Sequence, residues 1–156
     1  MNKSNLFNDA LKQILKWEGG YVNNPNDNGH ATNKGITQHT YDVYRKKKKL
    51  PSKSVKYITQ GEVNEIYFQN YWKACKCDTM SPAMAIVVFD TAVNMGTGKP
   101  QEYFKELGYN CTVEQFISRR EKSYHNFVAH DKTQQVFLKG WLNRLNDLKI
   151  FIKHYQ

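Results

Sequence analysis

The sequence predicts a mostly α domain, or α+β with helices dominant, in which a small β-ribbon or irregular segment follows the first helix. Three observations carry this reading. Apolar residues recur at three- and four-residue spacing through most of the chain. The stretch from Tyr21 to Ile36 breaks that period and is rich in Asn, Asp, Gly and Pro. Helix start and stop signals then mark off one segment after another.

The first helix is expected over about 4–16, where Leu6, Phe7, Ala10, Leu11, Ile14 and Leu15 form one apolar face. Gly19-Gly20 is expected to stop it by taking the left-handed conformation. The turn-rich segment that follows suits a small hairpin or ribbon. A short helix is predicted from about Thr37 to Lys48, ending before Pro51. Thr59-Gln60-Gly61-Glu62 is a capping box whose helix turns Val63, Ile66, Tyr67 and Tyr71 inward. Ser81-Pro82 reads as an N-cap with Pro at the first helical position. The helix behind it, 82–95, is apolar nearly all round and is therefore expected at the centre, with Gly96 and Gly98 ending it. Pro100 is expected to open a short helix that Gly108 stops. A second capping box, Thr112-Val113-Glu114-Gln115, opens a helix to about Val128, and a last long helix covers about 133–154.

The chain has 156 residues, 40% of them apolar and 24% charged, which suits a single domain with a real core and argues against disorder. Its longest apolar stretch, Ala83 to Phe89, is too short to span a bilayer, so no stable membrane insertion is expected. Nothing after Met1 resembles the apolar core of a signal peptide. The formal charge of +9 points to an anionic partner: nucleic acid, an anionic membrane face or an acidic wall polymer. The three cysteines, Cys75, Cys77 and Cys111, form no CxxC pair and read as reduced thiols. The five histidines show no HExxH spacing, so no metal and no organic cofactor is expected.

Three sets of residues are candidates for chemistry. Glu18 lies at the end of an amphipathic helix, in Lys16-Trp17-Glu18-Gly19-Gly20-Tyr21, where the helix dipole disfavours a carboxylate. A residue that breaks a local rule is a functional candidate, and Trp17 and Tyr21 offer apolar surface of the kind that suits a general acid. The alternative is an ordinary solvated Glu. Asp27, nine residues on, precedes Asn28-Gly29, and alone it reads as a turn residue. Paired with Glu18 across a cleft, it matches the two-carboxylate requirement of glycoside hydrolysis. Thr32 and Thr37 lie further along the same segment. A hydroxyl there suits the placing of a water, although Thr37 also looks like a helix cap. Asp90 and Asn94 share one face of the apolar helix. A buried Asp holding a partner helix and a substrate-contacting pair on a cleft floor are the two readings. Trp141 fits core packing, with sugar stacking as the alternative, and Lys46 to Lys49 fits a solvated helix end.

Several blocks then match one family. Trp17-Glu18-Gly19-Gly20-Tyr21-Val22-Asn23, Pro25-Asn26-Asp27 and Ala31-Thr32-Asn33-Lys34-Gly35-Ile36-Thr37 resemble the opening of glycoside hydrolase family 108. Tyr67-Phe68-Gln69-Asn70-Tyr71-Trp72 and Val88-Phe89-Asp90-Thr91-Ala92-Val93-Asn94-Met95-Gly96 continue the match. Gly140-Trp141-Leu142-Asn143-Arg144 resembles the end of the helical peptidoglycan-binding region that usually follows. The resemblance implies a lysozyme-like fold and an N-acetylmuramidase acting on peptidoglycan glycan strands, with Glu18 as catalytic acid. Asp27 and Thr32 match the Asp and Thr of related short-chain lysozymes. Tyr21, Thr37, Asp90 and Asn94 are expected at the substrate.

The chain departs from the family after Gly96, where Gly108-Tyr109-Asn110-Cys111-Thr112 replaces an Asp-Gly-x-x-Gly-Pro-x-Thr type of stretch. Residues 1–96 are accordingly expected to form a lysozyme-like catalytic region and 97–156 a helical peptidoglycan-binding-type region packed on it as one compact domain. The expected protein is a monomer that binds no nucleic acid. It is made in the cytoplasm and reaches the wall through a pore or secretion system, as a phage-like endolysin would. The alternative function is a non-catalytic wall-binding or secretion-accessory protein on the same scaffold.

Overall fold

Helix α1 spans Lys3–Leu15 and buries the predicted stripe of Leu6, Phe7, Ala10, Leu11 and Ile14. The computed structural model describes residues 3–25 and 31–156. Asp27 lies outside the described residues. The chain leaves α1 before Gly19-Gly20, and neither glycine has a positive φ. The expected left-handed stop is therefore replaced by two backbone turns, from Trp17 to the Ile14 carbonyl (3.0 Å) and from Glu18 to the Leu15 carbonyl (3.3 Å).

The irregular segment holds the expected ribbon. Strands β1 (Thr32–Asn33) and β2 (Ile36–Thr37) pair antiparallel, Thr32 opposite Thr37 and Asn33 opposite Ile36. Val22 adds a bridge to Thr32 on the far side. The connection is Lys34-Gly35, with φ of 51° and 77°. Two positive values in a two-residue loop make a type I′ turn, whose twist matches that of the strands.

Helix α2 (Gln38–Lys47) starts where Thr37 accepts the Thr40 N–H, and helix α3 (Gln60–Tyr67) starts at the Thr59–Glu62 capping box. The chain then widens into a π-helical turn, Phe68–Lys73, which the sequence periodicity did not predict. Helix α4 (Pro82–Met95) is central as expected: every residue from Ala83 to Ala92 is buried, and α1, α5, α6 and α7 pack around it. Helix α5 (Gly98–Leu107) begins two residues before Pro100, so Gly98 opens it instead of ending α4. Pro is tolerated there because first-turn N–H groups have no helical acceptor. Helix α6 is Val113–His130 and opens on the Thr112–Gln115 capping box. Helix α7 is Gln135–Ile152, flanked by short 3₁₀ turns at Lys132–Gln134 and Lys153–Tyr155 rather than running unbroken over 133–154.

The helices and the two-stranded sheet make the mostly α, lysozyme-like architecture anticipated above. The apolar core is continuous from Leu6 to Ile152, so helices on either side of Gly96 share it. Phe89 of α4 is its hub near the ribbon, with ring centroids 5.6 Å from Phe7, 5.2 Å from Trp72 and 6.5 Å from Tyr67. These edge and tilted contacts fix the π turn against α1 and α4, which in turn aims Tyr67 at the ribbon.

Candidate active site

Glu18 stands three residues beyond the end of α1, and four elements converge on it. From α7, Arg144 Nη1 donates to Glu18 Oε1 at 3.3 Å. Three residues on, Asp147 accepts from the Trp17 indole (3.0 Å) and from Gln13 (2.5 Å). The i, i+3 pair on α7 thus clamps Glu18 and the chain just before it. The countercharge that the α1 terminus fails to supply comes from this arginine.

The hairpin turn covers the other side. The Lys34 N–H donates to the Gly19 carbonyl (3.0 Å), and the Tyr67 hydroxyl donates to the Lys34 carbonyl (2.7 Å). A Cβ on Gly35 would stand 2.5 Å from the Tyr67 hydroxyl and 2.8 Å from Glu18 Oε2. Only glycine fits, both for that approach and for the positive φ. Lys34, held in the same left-handed region without being glycine, is fixed by these two bonds and by its amine on Gln60 (2.9 Å).

Tyr67, at the end of α3, and Tyr71, on the π turn, complete the wall, their rings 5.5 Å apart. Burial, and then the nearby Glu18 charge, push both phenols up from their usual range. The Glu18 side chain keeps 21% of its surface exposed while Arg144 keeps 8%. The site is a carboxylate open to solvent on one side and backed by protein on the others.

Beneath it lies a buried charge cluster. Asp90 is 1% exposed and is held by Arg120 at 2.6 Å and by Arg144 at 3.1 Å. Burial alone would raise this carboxyl; the Arg120 and Arg144 charges outweigh burial and hold it below the usual carboxylate range. Arg120 is itself fixed by the Tyr124 hydroxyl (2.9 Å) and the Thr91 hydroxyl (3.1 Å). Asn94 accepts from Tyr124 at 2.6 Å. Asp90 therefore sits under the site rather than on its surface, which is the helix-holding reading of the two. Asn94 belongs to the same network.

The remaining predicted residues fall on the ribbon. Thr32 is half-buried in β1, its backbone bonded both ways to Val22 at 2.8 Å. Thr37, its cross-strand partner, spends its hydroxyl on the α2 cap, accepting from the Thr40 N–H (3.1 Å) and donating to the Thr40 hydroxyl (3.0 Å). Tyr21 is 39% exposed, with the Lys56 ammonium over its ring. Trp141 stacks on Tyr124 at 5.2 Å and packs against Phe127, which is the core-packing reading. Sequence reasoning did not single out Arg144, Arg120 or Gly35. The signal for the arginines was present: Arg120 falls in register with Phe116, Ile117 and Tyr124, and Arg144 with Trp141, Leu145 and Leu148, so each occupies an inward position that demands a buried acid. Among the described residues, no group of three or more His, Cys, Asp or Glu side chains is placed to hold a metal ion.

The profile of a family described as Glycosyl hydrolase 108 matches residues 11–96. That stretch contains Glu18, the hairpin, the π turn and Asp90. Among solved structures, the chain is similar to the structure of Brucella abortus SagA, with a TM-score of 0.76 and 22% identity over 97% of this chain and 96% of that one. The likeness is one of fold. No curated protein matches the chain.

Proposed function

Since the chain belongs to the glycosyl hydrolase 108 family, we propose that it is an N-acetylmuramidase, hydrolysing the β-1,4 link between N-acetylmuramic acid and N-acetylglucosamine in peptidoglycan. One observation supports this most directly: Glu18 is set at the meeting of α1, the hairpin, the π turn and α7, with Arg144 3.3 Å from one oxygen and Gly35 leaving room for the other. Glu18 protonates the leaving oxygen, and Arg144 balances the charge left on the carboxylate as the proton departs. Asp27 stabilises the developing positive charge or orients water, and Thr32 helps place that water. Tyr71 and Tyr21 supply donors and ring surface to the glycan. The protein acts on the cell wall, reached through a pore or secretion machine. Its excess of basic residues promotes encounter with that anionic surface.

The test is release of reducing ends from purified peptidoglycan. Glu18→Gln keeps the shape and the Arg144 contact but removes the proton donor, so release is expected to fall by at least about two orders of magnitude with folding unchanged. Full activity in Glu18→Gln would overturn the assignment. Binding of peptidoglycan by the unaltered chain with no new reducing ends would make the protein a wall-binding accessory.

A further inference from the structure

Lys56 stands apart from the chain's other exposed lysines. Its ammonium lies 5.7 Å from the ring centre of Tyr21 and 5.8 Å from that of Tyr57, so it is held between two aromatic faces. Tyr57 is 62% exposed and Tyr21 39%, so much of both rings lies open to solvent. Among the described residues Lys56 makes no ion pair with a carboxylate, whereas Arg45 of α2 and Lys48 just beyond its end pair with Glu62 and Glu65.

The backbone under this lysine is built in. Asn33 of β1 donates to the carbonyls of Val55 (3.1 Å) and Lys56 (3.2 Å). Gln38 of α2 accepts the Val55 N–H (2.7 Å) and donates to the Lys53 carbonyl (2.9 Å). The 3₁₀ turn Val55–Tyr57 is therefore fastened to the hairpin that closes over Glu18. Tyr21 is fastened to the same hairpin through its neighbour, by the Val22–Thr32 bridge. It is three residues from Glu18, so their Cα atoms are within about 11 Å even if the chain is fully extended. A sugar next to the one at Glu18 falls within reach of this cluster.

Tyrosine faces suit the C–H faces of a pyranose, and a localised ammonium suits a carboxylate on that sugar. A free lysine side chain gives up rotamer entropy when it binds an anion; here the two rings have already restricted it. We propose that Lys56, held between Tyr21 and Tyr57, is a carboxylate-binding subsite for an acidic sugar of the glycan. The carboxylate is that of the lactyl ether of muramic acid or of the peptide attached to it. This rests on the peptidoglycan reading above and names the part of the substrate that the ribbon edge selects.

The test measures affinity, not turnover. The full chain carrying Glu18→Gln, which leaves strands uncut, is titrated with three soluble glycans. The first has its stem peptides removed, so each muramic acid bears a free lactyl carboxylate. The second is the same material with those carboxylates amidated. The third keeps its stem peptides. The chain is expected to bind the first or the third roughly tenfold more tightly than the second, which is about 1.4 kcal/mol. Whichever of the two gains identifies the source of the carboxylate. Adding Lys56→Gln removes that preference, Lys56→Arg restores it, and Tyr57→Ala weakens all three glycans. Equal affinity of the Lys56→Gln protein and its parent for the acidic strands overturns the subsite, as does failure of the parent to bind any strand. Reducing-end release by the unaltered chain is scored separately on the same strands. Lys56-dependent binding without release leaves the subsite standing and removes the muramidase assignment.

Discussion

At the scale of single residues, Gly35 and the two arginines separate placement from stability. An Ala at position 35 needs a left-handed backbone, which costs about 1–2 kcal/mol. Its Cβ also meets the Tyr67 hydroxyl and the Glu18 carboxylate at 2.5 and 2.8 Å. Gly35→Ala is expected to move Glu18 off its position and lower glycan cleavage by roughly a hundredfold, measured as reducing ends at matched folded protein. The arginines differ from each other. Arg120 is fully buried on Asp90, and Arg120→Met leaves that carboxylate with a single partner, at a cost of about 3–5 kcal/mol in a urea melt. Arg144→Met leaves the shorter Arg120–Asp90 contact intact, so it should cost less stability, but it removes the cation beside Glu18 and should lower cleavage far more than its stability loss explains. Equal activity losses for the two variants at equal folded fraction would argue against a positioning role for Arg144. Glu18 was legible from sequence because it contradicts the helix dipole. Its partner was not, because an arginine 126 residues away is adjacent only once α7 has packed.

At the scale of elements, the helix starts were the most legible features because capping is local chemistry. Thr59 with Glu62 and Thr112 with Gln115 each satisfy their own backbone donors within four residues, and both boxes form where the sequence places them. The π turn was not legible. It is held by contacts outside any helical period, the Trp72 ring against Phe7 and Phe89 and its indole on Asp78, which no periodicity encodes. Gly19-Gly20 misled for a related reason: glycine permits a left-handed turn but does not require one. Thr37 shows how an element-level role displaces a site-level one. Its hydroxyl is committed to the α2 cap, so Thr37→Ala is expected to cost about 1 kcal/mol in a urea melt. Thr37→Asp, which also caps, is expected to restore that stability. Neither change should alter the KM for glycan when activity is corrected for folded protein; a rise in KM without loss of stability would place the hydroxyl at the substrate instead.

At the scale of the molecule, the question is what the helices after Gly96 are for. The sequence suggested a catalytic region followed by a wall-binding one, and the family profile ends at the same residue. The side chains cross that line. α6 sends Arg120 and α7 sends Arg144 into the carboxylate of Asp90 on α4, and α7 also holds Trp17 and Glu18. A chain cut after residue 96 would keep Glu18 and Asp90 but lose both cations. It would also uncover the faces of α4 that α5, α6 and α7 now bury. A carboxylate that is buried and unpaired must be neutralised or exposed, and either outcome opposes packing of α4. The 1–96 fragment is therefore expected to show no cooperative thermal transition, to bind hydrophobic dye as loosely packed states do, and to release no reducing ends. Adding 97–156 in trans should recover the transition only where the fragments associate, because Arg120 and Arg144 must reach Asp90 together. A fragment that melts sharply and cuts glycan alone would show that the catalytic unit ends at Gly96 and that the helices beyond it serve the wall.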